Sequence, residues 1–322
     1  MANEFGPGIE PDRFWRDVRR YGVSVVFYSG AMCAAILGET DSRAEQNSGI
    51  RLFAGSGMPK GVWRRIAERF SAATIVEFFA STEGNAVLVN LTGEKMGSLG
   101  RPMPGAAEVE VAAWDLEAGK LIDRKSGFAA RCSAGDVGLL LERVNPERGE
   151  LDSRPLRGVF EPGDAWLDTR DLVRVDQDGD YWLVDYASDI VQTAHGSVAT
   201  LAVENALTAE VPEIDLAAVY GVRLDGDDHD TLVAALTLRG GTKLDPTALR
   251  RVVERRLPAP QRPQVVRIIE TLPMTAGYRT RKRALRQAGI GLAESAGEAL
   301  HLAADQDGYI TLESESQLAR QS

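Results

Sequence analysis

Cysteine and histidine are scarce in this chain. Its 322 residues include two cysteines, Cys33 and Cys132, and three histidines, His195, His229 and His301. None stands at a zinc or redox spacing, and the isolated histidines form no metal pattern; a reducing compartment fits. A basic surplus is also missing. The net charge is −10, and no lysine- or arginine-rich face precedes the last third. That excludes a nucleic-acid backbone as the main partner. No apolar run approaches the ~18 residues of a membrane span. The start, Met1-Ala2-Asn3-Glu4, has neither the basic residues nor the apolar core of a secretory leader. The expectation is a cytoplasmic chain, with peripheral membrane contact left open.

The length exceeds the ~250–300 residues at which single cores stop growing, so two domains are expected. The apolar share of 44% and charged share of 26% are ordinary for a globular protein. The 32 glycines are an excess, which points to many turns rather than long helices.

Pro11 opens a helix in which Phe14, Trp15, Val18 and Tyr21 share a face, and Gly22 is placed to end it. Residues 23–28 read as a strand, 31–37 as a short helix, and 50–54 as a strand closed by Gly55-Ser56-Gly57. Pro59 starts a helix with Val62, Trp63, Ile66, Ala67 and Phe70 at helical spacing. This alternation predicts a parallel α/β layer, and ligands on such sheets gather at the carboxyl ends of strands. From 97 to 185 the texture becomes antiparallel, as a sheet or small distorted barrel, with Asp178-Gly179 as a hairpin turn. After Asp185 a smaller α+β unit follows. It has a helix over 198–207, strands over 216–222, 231–238 and 264–270, a helix capped by Asp245-Pro246, and an edge strand starting at Tyr309.

The most informative stretch is Glu77-Phe78-Phe79-Ala80-Ser81-Thr82-Glu83-Gly84-Asn85, fed by an apolar run. It reads as a buried strand delivering a loop. Phe79 offers a ring to a purine, Thr82 a hydroxyl to a phosphate, and Glu83 a carboxylate to magnesium. An ordinary strand-to-turn junction carries the same letters.

With Phe14-Trp15, Arg19-Arg20-Tyr21, Gly55-Ser56-Gly57, Gly97, Gly100-Arg101-Pro102, the stretch from Asp171 to Gly179, and Leu272-Pro273-Met274-Thr275, this motif resembles one family. It is the AMP-forming acyl-CoA synthetases, in their fatty-acid-transport, very-long-chain branch, and the resemblance covers only the later part of such an enzyme. It implies the end of an adenylate-forming large domain over 1–184, a small mobile domain over 185–290, and a tail over 291–322. The large-domain part is a parallel layer plus a distorted antiparallel barrel; the small domain is α+β. It further implies that Gly55, Ser56, Gly57 and Phe79 line adenine and that Thr82 and Glu83 serve phosphate and Mg2+. Asp171 grips the ribose, Asp185 is the hinge, and the position of the catalytic lysine is Arg279. ATP or AMP, Mg2+ and coenzyme A are the implied ligands, and a long-chain fatty acid the implied substrate.

Departures from the family pattern temper this. The phosphate loop would lie upstream of residue 1, and Ala54-Gly55-Ser56-Gly57 does not replace it. Arg170 stands where a glycine is expected, Tyr186 where an arginine is, and His195 where a glycine is, with Gly196 one residue late. Arg279 keeps the charge but not the compact ammonium. The expectation is a truncated synthetase-like chain, inactive unless a separate amino-terminal half is supplied. The alternative is a non-catalytic nucleotide or acyl-adenylate binding module, or a scaffold pairing with a full-length synthetase.

Overall fold

Helix α1 (Pro11–Tyr21) begins with proline, whose missing N–H is harmless in a first turn, and ends at Gly22 with φ +59°. The computed structural model describes residues 11–38, 49–81, 84–125, 127–144, 153–224, 226–275, 280–290, 300–305 and 308–311. By its contacts the chain divides into two units. One holds Trp15–Gly30 and Asp41–Ser188; the other holds Met1–Phe14, Ala31–Thr40 and Asp189–Ser322.

In the first unit, Trp15 and Val18 of α1 are buried as the helical spacing predicts. Trp15 stacks on Phe70 with ring centres 5.9 Å apart, and Phe70 tilts against Phe53 at 5.1 Å. Tyr21 departs from the expected face. It is 67% exposed, with the Arg20 guanidinium 5.3 Å from its ring centre. Strand β1 (Val25–Ser29) starts two residues later than the sequence indicates, because the Val23 N–H turns back to Val18 O and closes the helix instead. β2 (Leu52–Ser56), α3 (Lys60–Arg69) and β3 (Thr74–Ala80) continue the alternation; along the chain helix α2 (Gly30–Gly38) comes between β1 and β2, but from Ala31 on its contacts assign it to the other unit. β1, β2 and β3 pair in parallel.

The sheet then continues antiparallel through β4 (Val87–Asn90), β5 (Ser98–Pro102), β6 (Val109–Asp115), β7 (Lys120–Leu121), β8 (Val137–Arg143), β9 (Leu156–Arg157), β10 (Ala165–Val175) and β11 (Tyr181–Tyr186). The order is β1-β2-β3-β4-β5-β11-β10-β8-β6-β7, with β9 on β10. Register shifts at Asp168/Leu172, Leu172/Val173 and Tyr181/Trp182 make this part irregular, as the glycine- and aspartate-broken sequence predicts. β1 is one edge strand of the sheet, and its Phe27 is 77% exposed.

The second unit carries a short hairpin of β12 (Val191–Thr193) and β13 (Gly196–Val198), then α4 (Thr200–Glu210), β14 (Ile214–Arg223) and β15 (Asp230–Leu238). Helix α5 (Pro246–Arg256), β16 (Val265–Ile268), α6 (Lys282–Gln287), β17 (Leu300–Asp305) and β18 (Gly308–Thr311) follow. Asp245 caps α5 as the sequence indicates, its carboxylate accepting the Thr247 N–H at 2.9 Å. β14 to β18 form one five-stranded sheet in chain order, with β18 on the edge. Leu232, Ala234 and Leu236 of β15 pack with α4 and α5 residues on one face, and Val233 and Ala235 pack with Leu285 of α6 on the other. Burial on both faces accounts for the unbroken apolar run of β15.

Candidate active site at the strand ends

Gly55 and Ser56 complete β2 rather than forming a turn after it: they pair with Tyr28 and Ser29, and Gly55 also pairs with Glu77. Only Gly57 turns, at φ +77°, with open space where a Cβ would stand. Gly55 is needed for the opposite reason, since a Cβ there would overlap the Tyr28 carbonyl and ring. Beneath this strand end lies Glu77, 4% exposed. It accepts the Tyr28 hydroxyl on Oε2 and the Gly57 N–H on Oε1, and Met58 N–H also bonds to it. Burial pushes its carboxyl up to about 7, and those three hydrogen bonds hold it from rising further. The sequence marks Glu77 only as a lone acid in an apolar strand, and its role was missed.

Phe79 is half-buried. It packs against a cluster of Leu88, Leu99, Val111, Leu140 and Val173. The loop after β3 is closed by Ser81 N–H to Ala86 O at 3.1 Å and by Gly84 N–H to Ser81 Oγ at 2.9 Å. Thr82 and Glu83 lie outside the described residues. A second missed acid, Glu142 of β8, sits under this loop. It is 2% exposed, and its Oε1 accepts the Asn85 N–H. Among the described residues its buried Oε2 has no hydrogen-bond partner.

Asp171 is 6% exposed, in the irregular middle of β10, paired with Tyr186. The Thr169 hydroxyl donates to Leu140 O at 2.8 Å and accepts the Asp171 N–H at 3.2 Å. Between them Arg170 has φ 64°, a left-handed backbone that among the described residues other than glycine occurs only here. The backbone is therefore glycine-like at the position where the family pattern has glycine. Asp185, read as the hinge, is fully buried within β11, and its Oδ1 accepts the Tyr186 N–H at 2.8 Å. At the β12–β13 turn it is Gly196, φ +113°, that takes the special backbone, while the His195 N–H rests on Thr193 Oγ1 at 3.2 Å.

Arg279 lies outside the described residues. Lys282, three positions on in a basic stretch that also holds Arg281, Arg283 and Arg286, is buried, at 6% exposure. Its ammonium bonds Thr200 Oγ1 at 2.6 Å and Glu204 Oε1 at 2.7 Å, with Asp189 at 3.9 Å. In the first unit, the β10–β11 hairpin gathers Asp176, Asp178 and Asp180 around Lys95, at 2.8, 2.7 and 2.8 Å. Burial opposes ionisation of Asp176, but bonds from Lys95, the Trp182 indole and backbone N–H groups outweigh it and hold its carboxyl well below the usual range. Lys95 bonds all three carboxylates and Arg101 also pairs with Asp180, so these carboxylates serve the hairpin.

A family model described as AMP-binding enzyme matches residues 2–127, and one described as AMP-binding enzyme C-terminal domain matches 202–277. A medium/long-chain-fatty-acid–CoA ligase of Mycobacterium tuberculosis is 30% identical over 313 residues, covering 95% of this chain and 51% of its own. Human long-chain fatty acid transport protein 3 is 29% identical over 302 residues, covering 90% and 43%. The chain thus spans about half the length of the curated relatives it matches. Among solved structures, a benzoate CoA ligase from Burkholderia xenovorans superposes with a TM-score of 0.65 at 20% identity, over 86% of this chain and 53% of that one. ATP-bound MatB from Rhodopseudomonas palustris gives 0.68 at 19% identity, over 88% and 54%. With both the strand-end region and the small unit matched, the chain belongs to the AMP-binding, adenylate-forming enzyme family.

Proposed function

We propose that this chain carries the nucleotide-binding strand ends and the small domain of a fatty-acyl-CoA synthetase. The observation that supports this most is the parallel β1–β2–β3 layer, which ends in a glycine turn and the Ser81–Ala86 loop, the motifs that resemble the adenylate site. In this reading the open space at Gly57 accepts a flat purine, with Phe79 as its apolar neighbour. Asp171 accepts the ribose hydroxyls, a task for a carboxylate held on a strand. Thr82 and Glu83 serve phosphate and Mg2+, and Arg279 holds the sequence position of the lysine that, by resemblance, polarises the substrate carboxylate. A fatty-acid carboxylate attacks the α-phosphorus of ATP and pyrophosphate leaves, giving an acyl-adenylate; the thiol of coenzyme A then attacks the acyl carbon, and AMP leaves. The fit is clearest for the nucleoside, where the strand end offers room and Asp171 a carboxylate.

The segment that would wrap the polyphosphate belongs, by resemblance, to the amino-terminal half of such an enzyme. Catalysis therefore needs that half, on the same or another chain, and the exposed edge of β1 with Phe27 is the surface it would cover. No described helix is long and apolar enough to cross a membrane; contact with a lipid surface, where fatty acids reside, is peripheral. Pyrophosphate release with ATP, Mg2+ and a long-chain fatty acid tests this. Residues 1–322 alone should give little release, and adding the amino-terminal half of a relative should raise it at least about a hundredfold, the scale of one lost transition-state contact. Absence of any AMP binding in calorimetry would overturn the reading.

A further inference from the structure

We propose that Glu77 is the positioning residue of the nucleotide site: its carboxylate holds the N–H groups of Gly57 and Met58, so that the end of β2 keeps one fixed face toward the purine. This rests on the nucleotide reading given above. Glu77 stands in β3 between Gly55 of β2 and Asn90 of β4. Its three donors come from β1 and from the segment after β2, so one carboxyl ties three neighbouring stretches of chain. A buried carboxyl in an apolar strand is destabilising unless several donors reach it, and here they do.

Tyr28, from β1, is the titratable group on it. From β4, Asn90 is uncharged and turned elsewhere, donating to Lys95 O at 2.8 Å and Ser98 O at 3.3 Å and accepting Gly93 N–H at 3.0 Å. β2 brings only Gly55 opposite it. Tyr28 serves either protonation state. It donates to the carboxylate, or it accepts from the acid and turns its hydrogen to Val76 O, 3.4 Å away. The Gly57 bond to Oε1 persists in both states and is stronger to the anion. With the carboxyl at about 7, both states are populated near neutrality.

The test is amide hydrogen exchange at Gly57 and Met58 in wild type, Glu77→Ala and Glu77→Gln, with AMP titrated into each by calorimetry. The alanine variant should speed exchange at both amides at least about tenfold and weaken AMP by a similar factor. The Val173 and Leu183 amides, in the β10–β11 pair, should not change. The glutamine variant keeps an acceptor and should recover most of both effects, while losing the rise in Gly57 protection that wild type shows between pH 6 and pH 8. If Glu77→Ala fails to fold, Tyr28→Phe decides: removing a donor to the carboxylate should move the midpoint of that rise to higher pH, and an unmoved midpoint overturns the proposal. Unchanged Gly57 exchange in a folded Glu77→Ala protein also overturns it. Wild type that binds AMP, with Glu77→Ala binding equally, overturns the role of Glu77 alone. Wild type that binds no AMP overturns the nucleotide reading and this role with it.

Discussion

Gly84 lies so close over the carboxyl of Glu142 that a methyl group at Gly84 would overlap both carboxylate oxygens. These residues are 58 positions apart in the chain yet form a single contact between the β3–β4 loop and β8, fixed by the neighbouring Asn85 N–H on Glu142 Oε1. Gly84→Ala should therefore cost roughly 1–3 kcal/mol, the range for overpacking a filled site. In a Glu142→Ala background the same change should cost much less. Urea unfolding of the four proteins of this cycle measures the coupling, and additive losses would sink the idea that these two residues compete for one space.

Arg170 bears a left-handed backbone at φ 64°. For a residue with a Cβ that conformation costs about 1–2 kcal/mol, which glycine avoids at some cost in unfolded-chain entropy. Arg170→Gly should stabilise the protein by roughly 0.5–1 kcal/mol, because the N–H bond to Asp168 Oδ1 at 2.7 Å survives the change. A lowered denaturation midpoint would show that the guanidinium contributes more than the backbone loses.

Glu77 also sets a pH dependence. Its folded carboxyl titrates at about 7 against an ordinary 4.5, so the folded protein holds a proton that the unfolded chain releases. That contribution is complete below pH 4.5 and is lost as pH rises through 7. Wild type should lose roughly 3 kcal/mol at most over this window, and Glu77→Gln should flatten the slope. Asp176 and Asp180 are shifted the opposite way, from an ordinary 3.8, so their contribution is lost only at more acid pH. Parallel slopes in wild type and variant would rule out Glu77 as the source.

Lys282 and Lys95 are both lysines among carboxylates, with different expected weights. Lys282 is 6% exposed beside Glu204 and Asp189. Lys282→Met should cost roughly 3–5 kcal/mol, since it strands a desolvated carboxylate. Lys95 is one-third exposed among three aspartates. Lys95→Met should cost less and should become milder in high salt, which screens the freed acids from each other. Equal, salt-independent losses would contradict this distinction.

The sequence made the local rules readable. The alternation leading into β3, the Asp178-Gly179 hairpin and the Asp245 cap each depend on residues a few positions apart. The contacts between residues far apart in the chain were not readable in the same way. Glu77 meets Tyr28 from 49 positions away, Asn85 meets Glu142 from 57, and Lys282 meets Thr200 from 82. A lone acid in an apolar strand signals that a partner must exist, but only the strand order supplies its name. The left-handed backbone at Arg170 shows the converse: its φ is set by a register shift between β10 and β8 and not by the residue that sits there.

β8 has a consequence for how the site could be altered by design or drift. Leu140 lies under Phe79 and its carbonyl receives the Thr169 hydroxyl, while Glu142, two residues on, receives Asn85. Side chains two apart on a strand share a face, so these contacts are in phase along one ruler. A slip of β8 by one position would turn both side chains away together, and the loop after β3 would lose its footing on the same event as the Phe79 cluster. An insertion or deletion within Val137–Arg143 should thus behave as a switch with two settings, aligned or silent, where a point change would only weaken one contact.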